Sequence, residues 1–213
     1  MPVSQTTVLV TAFEPFGGET VNPSQQAVVG LAAGPAPDGV QIRTAVLPVE
    51  FGPAVDALRA AVAAHDPDLV ICAGEAGGRF GVTPERVAVN VSDAHIPDNA
   101  GRTPVDEPVV AGGPVAYFSG LPVAAIVDAL RAAGIPADKS STAGTYVCNS
   151  VFYGLMHLIA TERPGLVGGF VHVPYVHEQV VDRGDQPSLS LEMITEALRI
   201  TVQTSVAALA THR

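Results

Sequence analysis

Asp68-Leu69-Val70-Ile71-Cys72-Ala73 is a continuous apolar run that reads as a central, buried strand. Gly74-Glu75-Ala76-Gly77-Gly78-Arg79 follows at its carboxyl end, where α/β sheets keep their sites. Cys72 lies inside the run and reads as a buried, inert thiol. Upstream, Phe51, Val55, Leu58 and Val62 mark a helix that stops by Asp66-Pro67. Before it, Val40, Ile42, Thr44 and Val46 alternate with Gln41, Arg43 and Ala45, which predicts a half-buried strand closed by Pro48. Thr7 to Ala12 is a short buried strand, ended by the loop Phe13-Glu14-Pro15-Phe16-Gly17-Gly18. Asn22 and Pro23 then open a helix as cap and first-turn proline, with Ala27, Val28 and Leu31 inward.

Downstream, Thr83-Pro84-Glu85-Arg86 leads into Val87, Val89 and Val91, an alternating strand. Residues 92–120 lack periodicity and are rich in Gly and Pro, which predicts a functional, flexible or irregular segment. Pro122 opens a helix with Val123, Ile126, Val127 and Leu130 on its face, ended by Gly134. Leu166 to Val173 is a strand stopped by Pro174, and the 187–190 segment starts a last helix striped by Leu191, Ile194, Leu198, Val202, Ser205 and Leu209. Strand and helix alternate throughout. The fold class is therefore α/β, a three-layer α/β/α sandwich around a mixed, mostly parallel twisted sheet. With 213 residues and no linker in view, residues 1–213 are expected to form a single domain.

Apolar residues make up 47% of the chain and charged residues only 15%, so some of the surface is expected to be covered by other subunits. The net charge of −10 argues against nucleic-acid binding, which needs a basic surface. No run approaches a membrane span, and the first residues show no basic region followed by an apolar core. With two Cys, the expectation is a reducing cytoplasm and free thiols. No His/Cys/Asp cluster has metal-ligand spacing, so no metal is predicted.

The chemistry gathers at Ala143-Gly144-Thr145-Tyr146-Val147-Cys148-Asn149. Val151, Phe152, Leu155, Met156 and Ile159 continue it as a helix, which puts Cys148 in or near the first turn, after a break at Gly144 with Thr145 as a candidate N-cap. The free N–H groups and positive dipole end there favour a thiolate and should lower the thiol pKa. Cys148 is also in phase with the apolar face, so a small core residue remains the other reading. A Cys nucleophile needs one imidazole as base and then acid, and a third group to orient that imidazole. Of six His, His65, His157 and His212 read as solvent-facing, His177 as a loop residue, and His95 as part of the irregular segment. His172 sits near a strand end, where it can meet a helix N-terminus, and Glu85 beside a strand start is a candidate orienting group. Phe13 and Phe16 either plug the core or line a small apolar pocket.

Four stretches together resemble the pyrrolidone carboxyl peptidase (pyroglutamyl peptidase type I) family. They are Ala12 to Gly18 with Asn22-Pro23-Ser24, Thr83 to Asn90, Ala143 to Asn149, and Gly168-Gly169-Phe170-Val171-His172-Val173-Pro174-Tyr175. The likeness runs from about Val8 to the last helix. It implies a cytoplasmic thiol peptidase, a homotetramer, that removes the N-terminal pyroglutamyl residue of peptides without a cofactor. Cys148 would attack the carbonyl, His172 would carry the proton and Glu85 would orient His172. Phe13 and Phe16 would sandwich the flat lactam ring, with Asn22 holding that loop or the ring carbonyl. Glu75 stands at a substrate-binding position where relatives commonly have Gln, so side-chain donation there would be lost if it is ionised. His95 stands where many relatives have Arg, replacing a permanent charge near the thiol by one that titrates near neutrality. The competing reading is a non-proteolytic small-molecule or nucleoside-processing protein in which the Phe pair stacks a flat ring and Cys148 is structural. A redox-sensing Cys protein would need a resolving thiol, and Cys72 in a central strand is a poor one.

Overall fold

A computed structural model describes residues 5–211, so His212 lies outside the described residues. A five-stranded sheet has the order β2-β1-β3-β7-β4, in which β1 (Thr6–Phe13), β2 (Val40–Leu47), β3 (Leu69–Glu75) and β7 (Val167–Val173) are parallel and β4 (Thr83–Pro84) runs antiparallel to β7. Two small sheets stand apart: β5 (Val87–Val89) with β6 (Ala116–Phe118), and β8 (Tyr175–Val176) with β9 (Ser188–Leu189). The helices are α1 (Pro23–Ala33), α2 (Pro53–His65), α3 (Val123–Ala132), α4 (Val147–Thr161) and α5 (Leu191–Thr211).

The period of two along each central strand divides the core. Val8, Val10, Leu69, Ile71, Val171 and Val173 face one layer with α1, α3 and α5. Leu9, Phe13, Val70, Cys72 and Phe170 face the other, with α2 and α4. Strands covered on both sides have no polar face to show, which is why β3 is a continuous apolar run with every residue buried. The result is the three-layer α/β/α sandwich with a mixed, mostly parallel sheet. No helix among the described residues is long and apolar enough to cross a membrane.

Some elements differ from their sequence reading. The alternation of Val40, Ile42, Thr44 and Val46 does not give one buried face: Thr44 and Val46 are exposed, while Val40 and Leu47 are buried. β2 is an edge strand with a neighbour on one side only, so its middle lies beyond the helical layers. β1 extends one residue past Ala12, and Phe13 is its buried last residue rather than the start of a loop. β5 ends at Val89, before Val91. β9 occupies Ser188–Leu189, and α5 begins after Ser190, whose Oγ accepts from Met193 N at 3.2 Å. The irregular stretch 92–120 carries only β6 as a named element.

Helix α4, which carries Cys148, packs against α2 with backbone-close approach at Gly154. A Cβ added there would lie 2.7 Å from Val55 Cγ1. Gly154→Val is therefore expected to force α4 from α2 and to cost about 1–3 kcal/mol of stability, read as a lower urea midpoint.

Candidate active site

Strand register brings the site together. On parallel strands, paired residues point to the same face about 4.8 Å apart. Gly74 of β3 pairs with His172 of β7, and Cys72 with Phe170, so Gly74 and His172 lie side by side on the α2/α4 face. Cys148 comes down on that face from the start of α4. A Cβ at Gly74 would sit 2.9 Å from Cys148 Sγ and 2.8 Å from Phe170 Cζ. Position 74 is therefore glycine because the sulfur occupies the space of a side chain, directly beside the strand position of His172. Thiol and imidazole are neighbours on one face without a hydrogen bond between them.

Glu85 reaches the same place from the continuation of β4. Its N–H donates to Phe170 O at 2.9 Å, while Arg86 N donates to Ser140 O at 2.8 Å, so the residue is held between β7 and the 137–140 segment. Glu85 has no solvent exposure, and His172 is 3% exposed. The Glu85 Oε1–His172 Nδ1 distance is 2.7 Å. An ionised carboxylate only accepts, so Nδ1 carries the hydrogen and Nε2 is the basic nitrogen. Arg79 Nη1 donates to the same oxygen at 2.6 Å. Burial raises the Glu85 pKa, but the hydrogen bond and charge of His172, with smaller contributions from Ser140 and Arg79, outweigh it and leave the carboxyl below its usual range. Burial lowers the His172 pKa, Glu85 opposes this, Arg79 adds to it, and the net shift is downward.

The thiol behaves differently from its sequence reading. Desolvation pushes Cys148 up to about 12, the carboxylates of Glu75 and Glu85 push the same way, and Arg79 pulls against them. Removal from water and two nearby negative charges outweigh the helix N-terminus. The cap also differs: Tyr146 is the N-cap and its side chain makes no capping bond, while Thr145 Oγ1 donates to Asp93 O at 2.8 Å. The Cys148 N–H lies in the first turn of α4, among the amides that helix geometry leaves unpaired. Cys72 is fully buried and pushed up to about 12 by desolvation.

Beside the sulfur lies a narrow pocket lined by Phe13, Phe16, Asn22, Val49, Glu75, Tyr146, Val147 and Cys148. Phe13 packs on Phe170 at 6.3 Å, and Phe16 on Tyr146 at 6.0 Å, so the first wall is anchored in the core and the second stands on the loop. Asn22 is 1% exposed and its side chain is engaged: Oδ1 accepts from Ser24 N at 3.0 Å and Nδ2 donates to Glu14 O at 3.0 Å. It caps α1 and holds the Phe loop. Burial pushes the Glu75 carboxyl above its usual range; the hydrogen bond from Gln179 Nε2 (3.0 Å) lowers it, Glu19 raises it and Arg183 lowers it. His95 is exposed on the irregular segment, and the charges acting on the thiol come from Glu75, Glu85 and Arg79 instead.

Sequence reasoning missed Arg79, Tyr146, Asn149, Asp98 and Asn99. Buried Asn149 bonds Val89 N, Val89 O and Val91 O, fixing β5 to α4. Asp98 accepts from Phe51 N, and Asn99 donates to Glu14 Oε1 and Pro15 O, so the irregular segment pins the pocket loop. No periodicity marks such residues. For Asp98 and Asn99 the available signal was polar side chains placed among Gly and Pro in a long connection.

A thiol, a neutral imidazole with a carboxylate behind it, first-turn amides and an apolar pocket suit acyl transfer to sulfur. The pyroglutamyl peptidase family model matches residues 6–208. A pyrrolidone-carboxylate peptidase of Streptomyces coelicolor is 60% identical over 194 residues, 91% of this chain and 89% of that one. The crystal structure of pyroglutamyl peptidase I from Bacillus amyloliquefaciens superposes with a TM-score of 0.91 at 49% identity, covering 95% of this chain and 98% of that one. A mutant pyrrolidone carboxyl peptidase of Pyrococcus furiosus gives 0.92 at 42% identity, covering 96% and 100%. The chain belongs to the pyroglutamyl peptidase family.

Proposed function

We propose that this protein is a cysteine peptidase that removes an N-terminal pyroglutamyl residue from peptides, with Cys148 as nucleophile, His172 as base and acid, and Glu85 orienting His172. The observation that carries this reading is the buried Glu85–His172 hydrogen bond on the sheet face where Cys148 Sγ rests over Gly74. His172 takes the thiol proton as sulfur attacks the pyroglutamyl carbonyl carbon. The same proton goes to the leaving amine nitrogen as the amide bond breaks. Water then attacks the thioester, His172 accepts its proton, and the thiol is regenerated as free pyroglutamate departs. The Cys148 N–H donates to the oxyanion in both steps.

The pocket fits this substrate in kind. A lactam has no free amine and needs apolar walls with few polar contacts. Phe13 and Phe16 supply walls to the ring, Asn22 holds their loop, and Glu75 is the ionisable carboxyl on the lining. The reading as a nucleoside-processing or binding protein is not favoured by relatives that are named as peptidases. The proposal includes a cytoplasmic homotetramer, for which exposed Phe80, Val115, Phe118 and Val181 offer apolar contact surface.

Release of a chromophore from a pyroglutamyl amide, with a prolyl amide as control, tests the activity. Cys148→Ala is expected to abolish turnover, and His172→Ala to lower kcat by about 10²–10⁴-fold. Glu85→Gln should cost less, because an amide can still position the ring. Cys72→Ser should stay nearly active, since Thr11, its partner in register, holds a buried hydroxyl that can meet the new one. Full turnover in Cys148→Ala would remove the mechanism.

In the unliganded protein the thiol and imidazole are both neutral near pH 7, given a raised Cys148 and a lowered His172. Activity needs neutral His172, so it should rise with pH through a midpoint below that of an ordinary imidazole. Iodoacetamide labelling of Cys148 should instead keep accelerating into the alkaline range, while Cys72 stays unlabelled until the protein unfolds. A labelling midpoint near neutrality would contradict the raised thiol. Sedimentation velocity checks the assembly: a four-chain species is expected, and a stable monomer at micromolar concentration would exclude it.

A further inference from the structure

Arg79 bonds to β4, to Glu85 just beyond it and to the segment leading into α4, yet no step of the proposed chemistry uses it. It leaves the turn after β3. Nη1 donates to Glu85 Oε1 at 2.6 Å and also to Thr83 Oγ1, and Nη2 donates to Thr142 O at 3.0 Å, on the segment leading into α4. Its side chain is 24% exposed, while that of Glu85 is 0%. The pair is thus half-wet on the cation side and dry on the anion side.

Positive charge around Glu85 is scarce. Oε1 receives both Arg79 and His172, and Oε2 is buried without a hydrogen-bond partner. The groups facing the carboxylate are His172 from β7, Arg79 from the turn after β3, and the Ser140 hydroxyl; the carboxylate in turn acts on Cys148 from α4. His172 acts on Glu85 more strongly than Arg79 does, but its charge is absent while it rests neutral, so of the charged groups acting on Glu85 only Arg79 is permanently cationic. A dry carboxylate with one oxygen unpaired does not stay ionised unaided. If it took up a proton, it would no longer need the Nδ1 hydrogen, and the tautomer presenting a basic Nε2 would lose its support.

We propose that Arg79 is a positioning residue that supplies the counter-charge of the buried Glu85 carboxylate and so holds the Nδ1–H tautomer of His172. It acts through Glu85 and His172 and does not touch the reacting atoms. Its position also gives the thiol a fixed cation that does not depend on His95. The kinetic side of the inference rests on the catalytic reading of Cys148, His172 and Glu85. The pairing itself does not.

The test uses R79Q, R79K, E85Q and R79Q/E85Q in the full chain, first by thermal unfolding. R79Q leaves a buried charge without its partner, whereas the double variant leaves two neutral amides. R79Q is expected to lower the melting midpoint at pH 7, and adding E85Q to recover most of that loss. If R79Q alone fails to fold, the double variant should fold. An R79Q loss of the same size in the wild-type and E85Q backgrounds, or a double variant that also fails to fold, overturns the proposal. These readouts decide the pairing even if the protein hydrolyses no pyroglutamyl amide, an outcome that would defeat the functional reading alone.

The second readout is the pH profile of kcat/KM. Without Arg79, the carboxyl of Glu85 and the imidazole of His172 both hold their protons to higher pH. The acid limb should therefore move up by about one unit in R79Q. R79K keeps the charge but not the forked geometry, so its limb should stay within about 0.3 units of wild type while kcat falls. A uniform loss in R79Q at every pH, with the limb unmoved, would reduce Arg79 to a loop clip and overturn the proposal.

Discussion

A carboxylate removed from water must find its counter-charge inside the protein, and Glu85 has no solvent contact at all. Much of the site follows from meeting that requirement. β4 runs antiparallel beside β7, which carries the Glu85 backbone to the rim of an otherwise parallel sheet. The 137–140 segment closes over it from the other side. His172 and Arg79 then converge on one of its oxygens. The imidazole gains a fixed tautomer from this arrangement, and the carboxylate gains a partner with a permanent charge.

The sulfur is governed by the opposite balance. A helix start favours a thiolate by a modest amount that fades within one turn. Burial and two carboxylates disfavour it by more, so Cys148 rests as a thiol. On the proposed mechanism, Cys148 is a nucleophile that stays weak until a base draws off its proton in the presence of substrate. That arrangement suits a group resting in a glycine notch beside a narrow, largely apolar pocket. The pocket walls are themselves tethered: Asn22 and Asn99 tie the 13–18 loop to α1 and to the irregular segment. The long connection thus serves as a brace although it contains little regular structure.

The apolar runs of β1, β3 and β7, the helix cap at Asn22 and the stripe of α5 were readable from residue order, because each depends on local periodicity and turn chemistry. β2 is a strand closed before Pro48, as its residues suggest, but its alternation does not report which face is covered. Alternation reports two faces but not whether a second strand and a helix cover them, and an edge strand lacks one neighbour. Phe13 and Phe16 are close together in the motif and both line the pocket, yet Phe13 is buried in the core at the end of β1 while Phe16 sits half-buried on the loop.

Residue order alone determined the layered α/β class, the placement of Cys148 in the first turn of a helix and, through four motifs, the family. Each of these is a short-range pattern of side-chain size, polarity and backbone preference. Only the tertiary structure decided that Glu85 is dry, that Arg79 is its partner, and that the thiol is raised instead of lowered. Burial and charge proximity depend on segments far apart in the chain meeting across strands in register, and no local pattern records the distance between them.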